Sequence, residues 1–385
     1  MAIPVLPAPK RFSGTVEQKH ISLLAKLYKI RSCSKYEQEM VKFVQDYVKK
    51  HVPTASVQTD SMGNILITKG IPAEGSFYPC VAAHMDIVSN HTCKATDKIT
   101  IVHYTWKDGS PGTLLGCKKT TDTGIESKIG GAGDDKNGVF ICLEMLKQKD
   151  IIKVALFVQE EIGCVGARAV DPKWFDDCSF ALECDRKGSC DLIVTYSGKP
   201  VISDEFEALL IPIAREYGYQ KETGSVTDVM TLKTRGVDIS VMNYSSGYYN
   251  AHSSDEYTVV EELITSMYLC SELIDKIPLT KRYSHKYTTY TAPANNYHSY
   301  SDYGDDYDEN RYYNSKYKPG CICSTKEIAL GVINPSCNIC NPVVISKTTV
   351  LLNCTCGKQM TRRKYSFNCE CGKHSLQVKN YLARQ

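Results

Sequence analysis

Nowhere in the 385-residue chain do eighteen or more apolar residues follow one another, and no long apolar run follows the opening MAIPVLPAPKRF. Neither a membrane-spanning helix nor a secretory leader is expected, and the protein reads as cytoplasmic with no membrane partner. Strong charge of one sign is also missing, since 46 Lys and Arg against 43 Asp and Glu leave a formal net charge of +3. So small an excess gives no general attraction to nucleic acid or to an anionic bilayer, and any partner must be argued from a local site. A phosphate loop is lacking as well, because the glycine-rich stretch ending at Gly133 is not followed by Gly-Lys-Ser/Thr. Cys164, Cys184 and Cys190 have no matching His/Asn arrangement to make any of them a nucleophile, and they read as inert buried thiols.

What is present is ordinary globular material, 42% hydrophobic and 23% charged, in a chain long enough for roughly two domains. Ile21, Leu24, Leu27 and Tyr28 recur at helical spacing within 17–30. Met40, Val41, Val44 and Val48 do so in a second run, which Ser34 and Glu37 would open as a capping box. Strand-length apolar runs lie near 63–70, 79–87, 152–160, 178–185 and 237–244, and helical patterns at 138–148, about 203–217 and about 256–277. This alternation predicts an α/β fold, a mostly parallel mixed sheet sandwiched by helices. Ligand sites in such sheets gather at the carboxyl ends of strands, and His84, Asp86, Glu160, Glu161 and Asp185 all fall at the ends of these runs.

Aliphatic residues almost vanish between 281 and 320, where ten of the chain's 25 tyrosines mix with Asn, Ser, Asp and Lys. That composition builds no conventional core and reads as a linker. Residues 321–385 then carry cysteines in tight pairs: Cys321 and Cys323, Cys337 and Cys340, Cys354 and Cys356, Cys369 and Cys371. Thiolates at this spacing can approach one tetrahedral ion from two turns, so the module reads as zinc-ribbon-like, with one or two structural zinc ions. Its nine Lys or Arg against two Glu permit docking to nucleic acid, while zinc ribbons serve equally for protein docking or structure alone. The expected organisation is a first domain over 1–280 with an inserted β-hairpin-like excursion at 91–130, a Tyr-rich linker over 281–320 and the cysteine module over 321–385.

Hydrolysing a peptide bond near neutral pH takes an activated water, a Lewis acid for the carbonyl oxygen and a base for the proton. Two zinc ions bridged by a carboxylate supply the first two through imidazole and carboxylate ligands. The chain offers, in order, His84-x-Asp86, Asp134-Asp135, Glu160-Glu161, Asp185 and His252. Each has a plainer reading on its own. His84 can be a hydrogen-bonded core histidine, Asp134-Asp135 within GGAGDDKNG a turn, and a Glu pair a solvated face. A Glu pair directly after the run VALFVQ fits a solvated face poorly, and the whole set in strand-end positions points to metal.

The segments AAHMDIV, GAGDDKNGV, VQEEIGCVGAR, ECDRKG and YYNAHSSDEY, in this order over about residues 20–278, resemble the metal-site motifs of the di-zinc exopeptidases that include peptidase T and related aminopeptidases. The resemblance implies that His84 and Asp185 hold one zinc, that Glu161 and His252 hold the other, and that Asp134 bridges them. Asp86 would orient His84 from behind, because a ligating histidine normally gives its other N–H to a carboxylate or carbonyl. Glu160 would be the general base. Asp135 competes with Asp134, and Glu183, which shares a strand parity with Asp185, competes with it. The family's bridging aspartate lies four residues before the glycine corresponding to Gly138, and DRKG follows Asp185, which favours Asp134 and Asp185.

The chain departs from peptidase T in one respect. That enzyme resembles a catalytic domain with a lid-like domain inserted between the last carboxylate ligand and the final histidine, whereas only 66 residues separate Asp185 from His252 here. A full lid does not fit, and the excursion at 91–130 becomes the candidate for substrate contacts, with Ser245, Ser246 and Gly247 as candidate pocket lining. The implied activity is that of a zinc-dependent exopeptidase with two catalytic zinc ions, an aminopeptidase hydrolysing short peptides through a metal-bridging water. A carboxypeptidase or an amino-acid deacylase would use the same chemistry. A non-catalytic binding protein on this fold is the alternative of a different class, and it would have no need of a metal-free Glu160.

Overall fold

The computed structural model describes residues 9–88, 98–104, 112–130, 133–196 and 198–287, together with the backbone of five short strands between 343 and 376. By its contacts the chain divides into two compact units, 1–290 and 291–385.

Helices α1 (Gln18–Lys29) and α2 (Gln38–His51) open the first unit where the helical spacing places them. Strands β1 (Ser56–Thr59), β2 (Ile65–Lys69) and β3 (Tyr78–His84) follow, and then the excursion strands β4 (Lys98–Tyr104), β5 (Leu114–Thr120) and β6 (Glu126–Ile129). Next come α3 (Lys136–Gln148), β7 (Ile152–Phe157), α4 (Val165–Ala169), β8 (Cys178–Arg186), β9 (Asp191–Tyr196) and β10 (Lys199–Pro200). The unit closes with α5 (Asp204–Glu216), β11 (Gln220–Gly224), α6 (Asp228–Thr234), β12 (Ser240–Ser245), β13 (Tyr248–Tyr249), β14 (Tyr257–Val259) and α7 (Val260–Lys276).

Nine strands form the main sheet in the order β1-β2-β7-β3-β8-β12-β9-β10, with β11 beside β9. Its centre, β7-β3-β8-β12, is parallel. Toward the edges β2 joins β7, β1 joins β2, β9 joins β12 and β10 joins β9, all antiparallel. Parallel neighbours require crossover segments that cover the sheet faces. Accordingly α3 packs against β3, β7 and β8 and touches α1 and α7, while α6 packs against β3, β8 and β12 and touches α4. β3 and β7 are therefore buried along their whole length, which is why they read as predominantly apolar runs, interrupted in β7 by the buried Lys153, instead of alternating ones.

The excursion is an antiparallel meander in which β4 pairs with β5 and β5 with β6, close to the hairpin expected of it. Its strand β5 also pairs with β14, so that β13, β14, β5, β4 and β6 make a second, five-stranded sheet. A segment that precedes α3 thus supports one that follows β12.

Two expectations need correction. Ser34 and Glu37 do not form a capping box: the N-cap of α2 is Glu37, without a side-chain bond. Ser34 Oγ instead donates to Asp86 at 2.7 Å, and Glu37 accepts from the amides of Lys35 and Gln159 at 3.0 and 3.1 Å. A buried hydroxyl gains more from a charged acceptor than from a neutral helix end. The core also continues past 280. Tyr283 is buried, its amide bonds to the Ser179 carbonyl at 3.0 Å, and the buried Lys233 ammonium donates to the carbonyls of Ile239, at 2.7 Å, and His285. Residues 281–287 are therefore folded chain.

In the second unit, β15 (Val343–Val344), β16 (Thr349–Asn353) and β17 (Gln359–Arg363) form a three-stranded antiparallel sheet, and β18 (Phe367–Asn368) pairs with β19 (Ser375–Leu376). All eight paired cysteines, Cys321 to Cys371, lie outside the described residues, as does the tyrosine-rich stretch from 288 onward. Among the described residues no helix is long and apolar enough to cross a membrane.

The seam at 281–287 can be tested by two truncations. Ending the chain at 290 should leave the first unit's melting temperature unchanged. Ending it at 280 removes Tyr283 and deprives Lys233 of one acceptor, losses of about 1–3 kcal/mol each, and should lower melting by several degrees. Equal melting of the two truncations would show that 281–287 contribute nothing to the core.

Candidate functional site

The parallel register brings the carboxyl ends of β3, β7 and β8 side by side, with His84 opposite Phe157 and Ala82 opposite Glu183. His84 ends β3, Glu160 and Glu161 lie in the loop after β7, Asp185 lies near the end of β8, and Asp134 lies two residues before α3. His84 Nε2 sits 3.2 Å from Asp134 Oδ1 and 3.8 Å from Asp185 Oδ2. His252 Nε2, from the loop between β13 and β14, sits 3.3 Å from Asp134 Oδ2 and 3.0 Å from Glu161 Oε2. Two groups result, His84 with Asp134 and Asp185, and Asp134 with Glu161 and His252, each with ligand atoms within 4.8 Å of one another. Glu160 Oε2, 4.0 Å from His84 Nε2, belongs to neither.

Local chemistry distinguishes the competing acids. Asp135 caps α3, accepting from the Gly138 amide at 2.9 Å and from the His84 amide at 3.2 Å. A Cβ at position 138 would lie 2.3 Å from that carboxylate, so the glycine makes room for the cap. With Asp135 turned into the helix end, Asp134 faces the cluster. Asp185 joins it too, its Oδ1 accepting from Tyr248 Oη at 3.0 Å. Glu183 is outside both groups, and its buried carboxylate faces Thr227 and the first amides of α6 without a well-formed hydrogen bond.

Asp86 meets His84 chiefly through its backbone. The nearer partner of His84 Nδ1 is the main-chain carbonyl of Asp86 at 3.0 Å, with its carboxylate at 3.5 Å. That carboxylate accepts from Ser34 Oγ at 2.7 Å and from the amides of Glu160 and Glu161 at 2.8 and 3.2 Å. One residue thus orients His84 with its backbone and holds the Glu160-Glu161 pair with its side chain. Ser245 Oγ donates to the Lys187 carbonyl and accepts from the Asp191 amide, and the Gly247 amide donates to the Gly188 carbonyl, contacts that stabilise the chain turn after β12.

Buried like charges govern the electrostatics. Burial, reinforced by Glu161 and Asp134 and opposed by His84, pushes the Glu160 carboxyl up to about 8. Burial and then Asp134 raise Asp185 and Glu161 as well. Burial would raise Asp134 too, but His252 and His84 on either side hold it well below the usual carboxylate range. Hydrogen bonding to Asp134 and Glu161 lifts His252 to about 11. Glu161 Oε1 is buried with no hydrogen-bond partner. Crowded, under-satisfied carboxylates of this kind are stabilised by a cation, and a donor set of two imidazoles and three carboxylates suits zinc. The residues present therefore fit two such ions. Gln159 and His252 hold left-handed backbone, φ 59° and 60°, at about 1–3 kcal/mol each, as residues beside functional sites often do.

Tyr248 and Ser34 were not legible as site residues, because their contacts span 63 and 52 positions and follow no spacing rule. The excursion, expected to touch substrate, is seen supporting the His252 loop through β5 and through an ion pair of Lys128 with Asp255 at 2.8 Å.

No family model and no curated protein matches the chain. Among solved structures it is similar to aminopeptidase PepT from Bacillus cereus, at 17% identity and a TM-score of 0.51 over 68% of this chain and 99% of that one. A tripeptidase from Staphylococcus aureus is similar at 14% identity and a TM-score of 0.51, over 67% of this chain and 97% of that one. The chain has the fold of these peptidases, in line with the fold implied by its five motifs.

The raised carboxyls set a pH dependence of stability. A buried acid whose pKa is higher folded than unfolded binds more protons when folded, so stability falls as pH rises between the two values. For Glu160 and Glu183, with folded values of about 8 and about 7, that window runs from about 4.5 upward. Metal-free protein should melt at progressively lower temperature from pH 5 to pH 8, and added zinc should flatten the slope. A metal-free melting temperature that rises across this range would contradict the burial argument.

Proposed function

We propose that the chain is a zinc-dependent exopeptidase that removes amino-terminal residues from short peptides. The observation that carries the reading is the pair of three-residue groups sharing Asp134, with Glu160 beside them and part of neither. The names of the two similar structures, an aminopeptidase and a tripeptidase, support peptides as the substrate class. His84 and Asp185 would hold one ion, Glu161 and His252 the other, and Asp134 both. Zinc bound there would supply Lewis acidity toward the scissile carbonyl and lower the pKa of water.

The remaining work falls to the chain. Opposite charge nearby lowers a carboxyl pKa, so in a loaded site Glu160 is a carboxylate at neutral pH. It can then take the proton of the attacking water and hand it to the leaving amine nitrogen. Asp86, holding the amides of both glutamates, keeps that carboxylate beside the reaction centre. Similarity to an aminopeptidase and a tripeptidase supports removal of amino-terminal residues over carboxypeptidase action. The cysteine spacing supports one or two further, structural zinc ions in 321–385.

Glu160→Gln should keep both catalytic metals and lose roughly 10²- to 10⁴-fold in turnover, because it removes the proton acceptor and spares every ligand. Free short peptides should be cleaved and N-blocked ones should not. Near-normal turnover in the variant would take the base role from Glu160, and equal cleavage of blocked peptides would remove the aminopeptidase assignment.

A further inference from the structure

The hairpin β13–β14 brings more to the site than His252. Tyr248, on its first strand, donates to Asp185, and Thr258, on its second, accepts from Asn137 Nδ2 at 3.1 Å and from Tyr28 Oη at 2.9 Å. Between them lies Glu256, which is 2% exposed. One oxygen of its carboxylate, Oε1, accepts from the amide of Gly133 at 2.6 Å and from the amide of Asp134 at 3.0 Å. Two consecutive amides converging on one carboxyl oxygen fix the backbone leading into Asp134. Little room remains for that backbone to shift, because a Cβ on Gly133 would lie 2.2 Å from Cβ of Tyr248.

Asp134 needs such a hold more than its neighbours do. It is the residue common to both groups, so any shift of its main chain moves an acceptor of each. We propose that Glu256 is a positioning residue for Asp134, acting through the amides of Gly133 and Asp134 so that the bridging carboxylate and His252 are set by one hairpin. The proposal rests on the two-metal reading of the site.

Two variants of the full-length protein separate hydrogen bonding from charge. Glu256→Gln keeps an acceptor oxygen in place and loses the charge, whereas Glu256→Asp keeps the charge and withdraws the oxygen by one methylene. Zinc affinity would be measured by competition with a chromophoric chelator, peptide hydrolysis as kcat and KM separately, and exchange of the Gly133 and Asp134 amides in metal-free protein. Partners that orient metal ligands typically change affinity by about 10- to 100-fold when altered. Glu256→Asp should show a loss of that size with lower kcat, little change in KM and faster exchange at the two amides, while Glu256→Gln stays within a few-fold of the wild type. No loss in either variant, or a loss in Glu256→Gln equal to that in Glu256→Asp, overturns the proposal. Wild-type protein that binds no zinc would instead refute the two-metal reading, and the amide exchange would still report on the hold itself.

Discussion

Crowded negative charge, placed where water is scarce, is the constraint on which the rest of this structure depends. Asp86, Asp134, Asp135, Glu183, Asp185 and Asp228 are all buried around the carboxyl edge of one parallel sheet, with Glu160 and Glu161 only partly exposed beside them. A buried carboxylate without partners costs several kcal/mol or takes up a proton. The fold answers with donors for some of them: a hydroxyl and two amides for Asp86, two amides for Asp135, a phenol for Asp185. Asp86 and Asp135, so satisfied, serve the scaffold. Asp134, Asp185 and Glu161 meet histidine nitrogen or, at Glu161 Oε1, no donor at all. Nearness to a histidine nitrogen, and not want of a donor alone, marks the acids suited to cations, since Glu183 and Asp228 are also buried without a hydrogen-bond partner yet stand outside both groups.

Geometry follows from the same constraint. Only a parallel centre sets the ends of β3, β7 and β8 level, so acids from distant parts of the chain meet at one edge. The fifth protein group, His252, comes from outside that sheet, on a half-exposed loop with left-handed backbone. Such a loop needs support, and the second sheet provides it through the pairing of β14 with β5. The inserted excursion thereby has a structural purpose in a chain too short for a lid between Asp185 and His252.

Much of the fold was legible because its signals are local. Short, mainly apolar runs in β3, β7 and β8 and the helical spacing in α1, α2, α3 and α7 each arise within about fifteen residues and survive folding unchanged. Misreadings occurred where a local pattern lost to a distant partner. Ser34 and Glu37 have capping-box spacing, yet Asp86 and the Gln159 amide claim them. Residues 281–287 look like linker by composition, yet Tyr283 fills a place against Phe180 and Phe206, and the His285 carbonyl meets Lys233.

For the site, the sequence by itself determined which residue types were available and in what order: His84, Asp86, the two acid pairs, Asp185 and His252, each placed at a strand end or in a loop by its neighbours. Spacing could not say which of Asp134 and Asp135, or of Glu183 and Asp185, faces the cluster, since adjacent acids and acids of one strand parity are equivalent to any local rule. Tertiary structure decided that. Asp135 is drawn into the N-terminus of α3 and Glu183 toward α6, while Tyr248 meets Asp185 and two histidines meet Asp134. Periodicity records which face of an element is apolar, whereas the orientation of a polar side chain depends on donors that only the folded chain brings within reach.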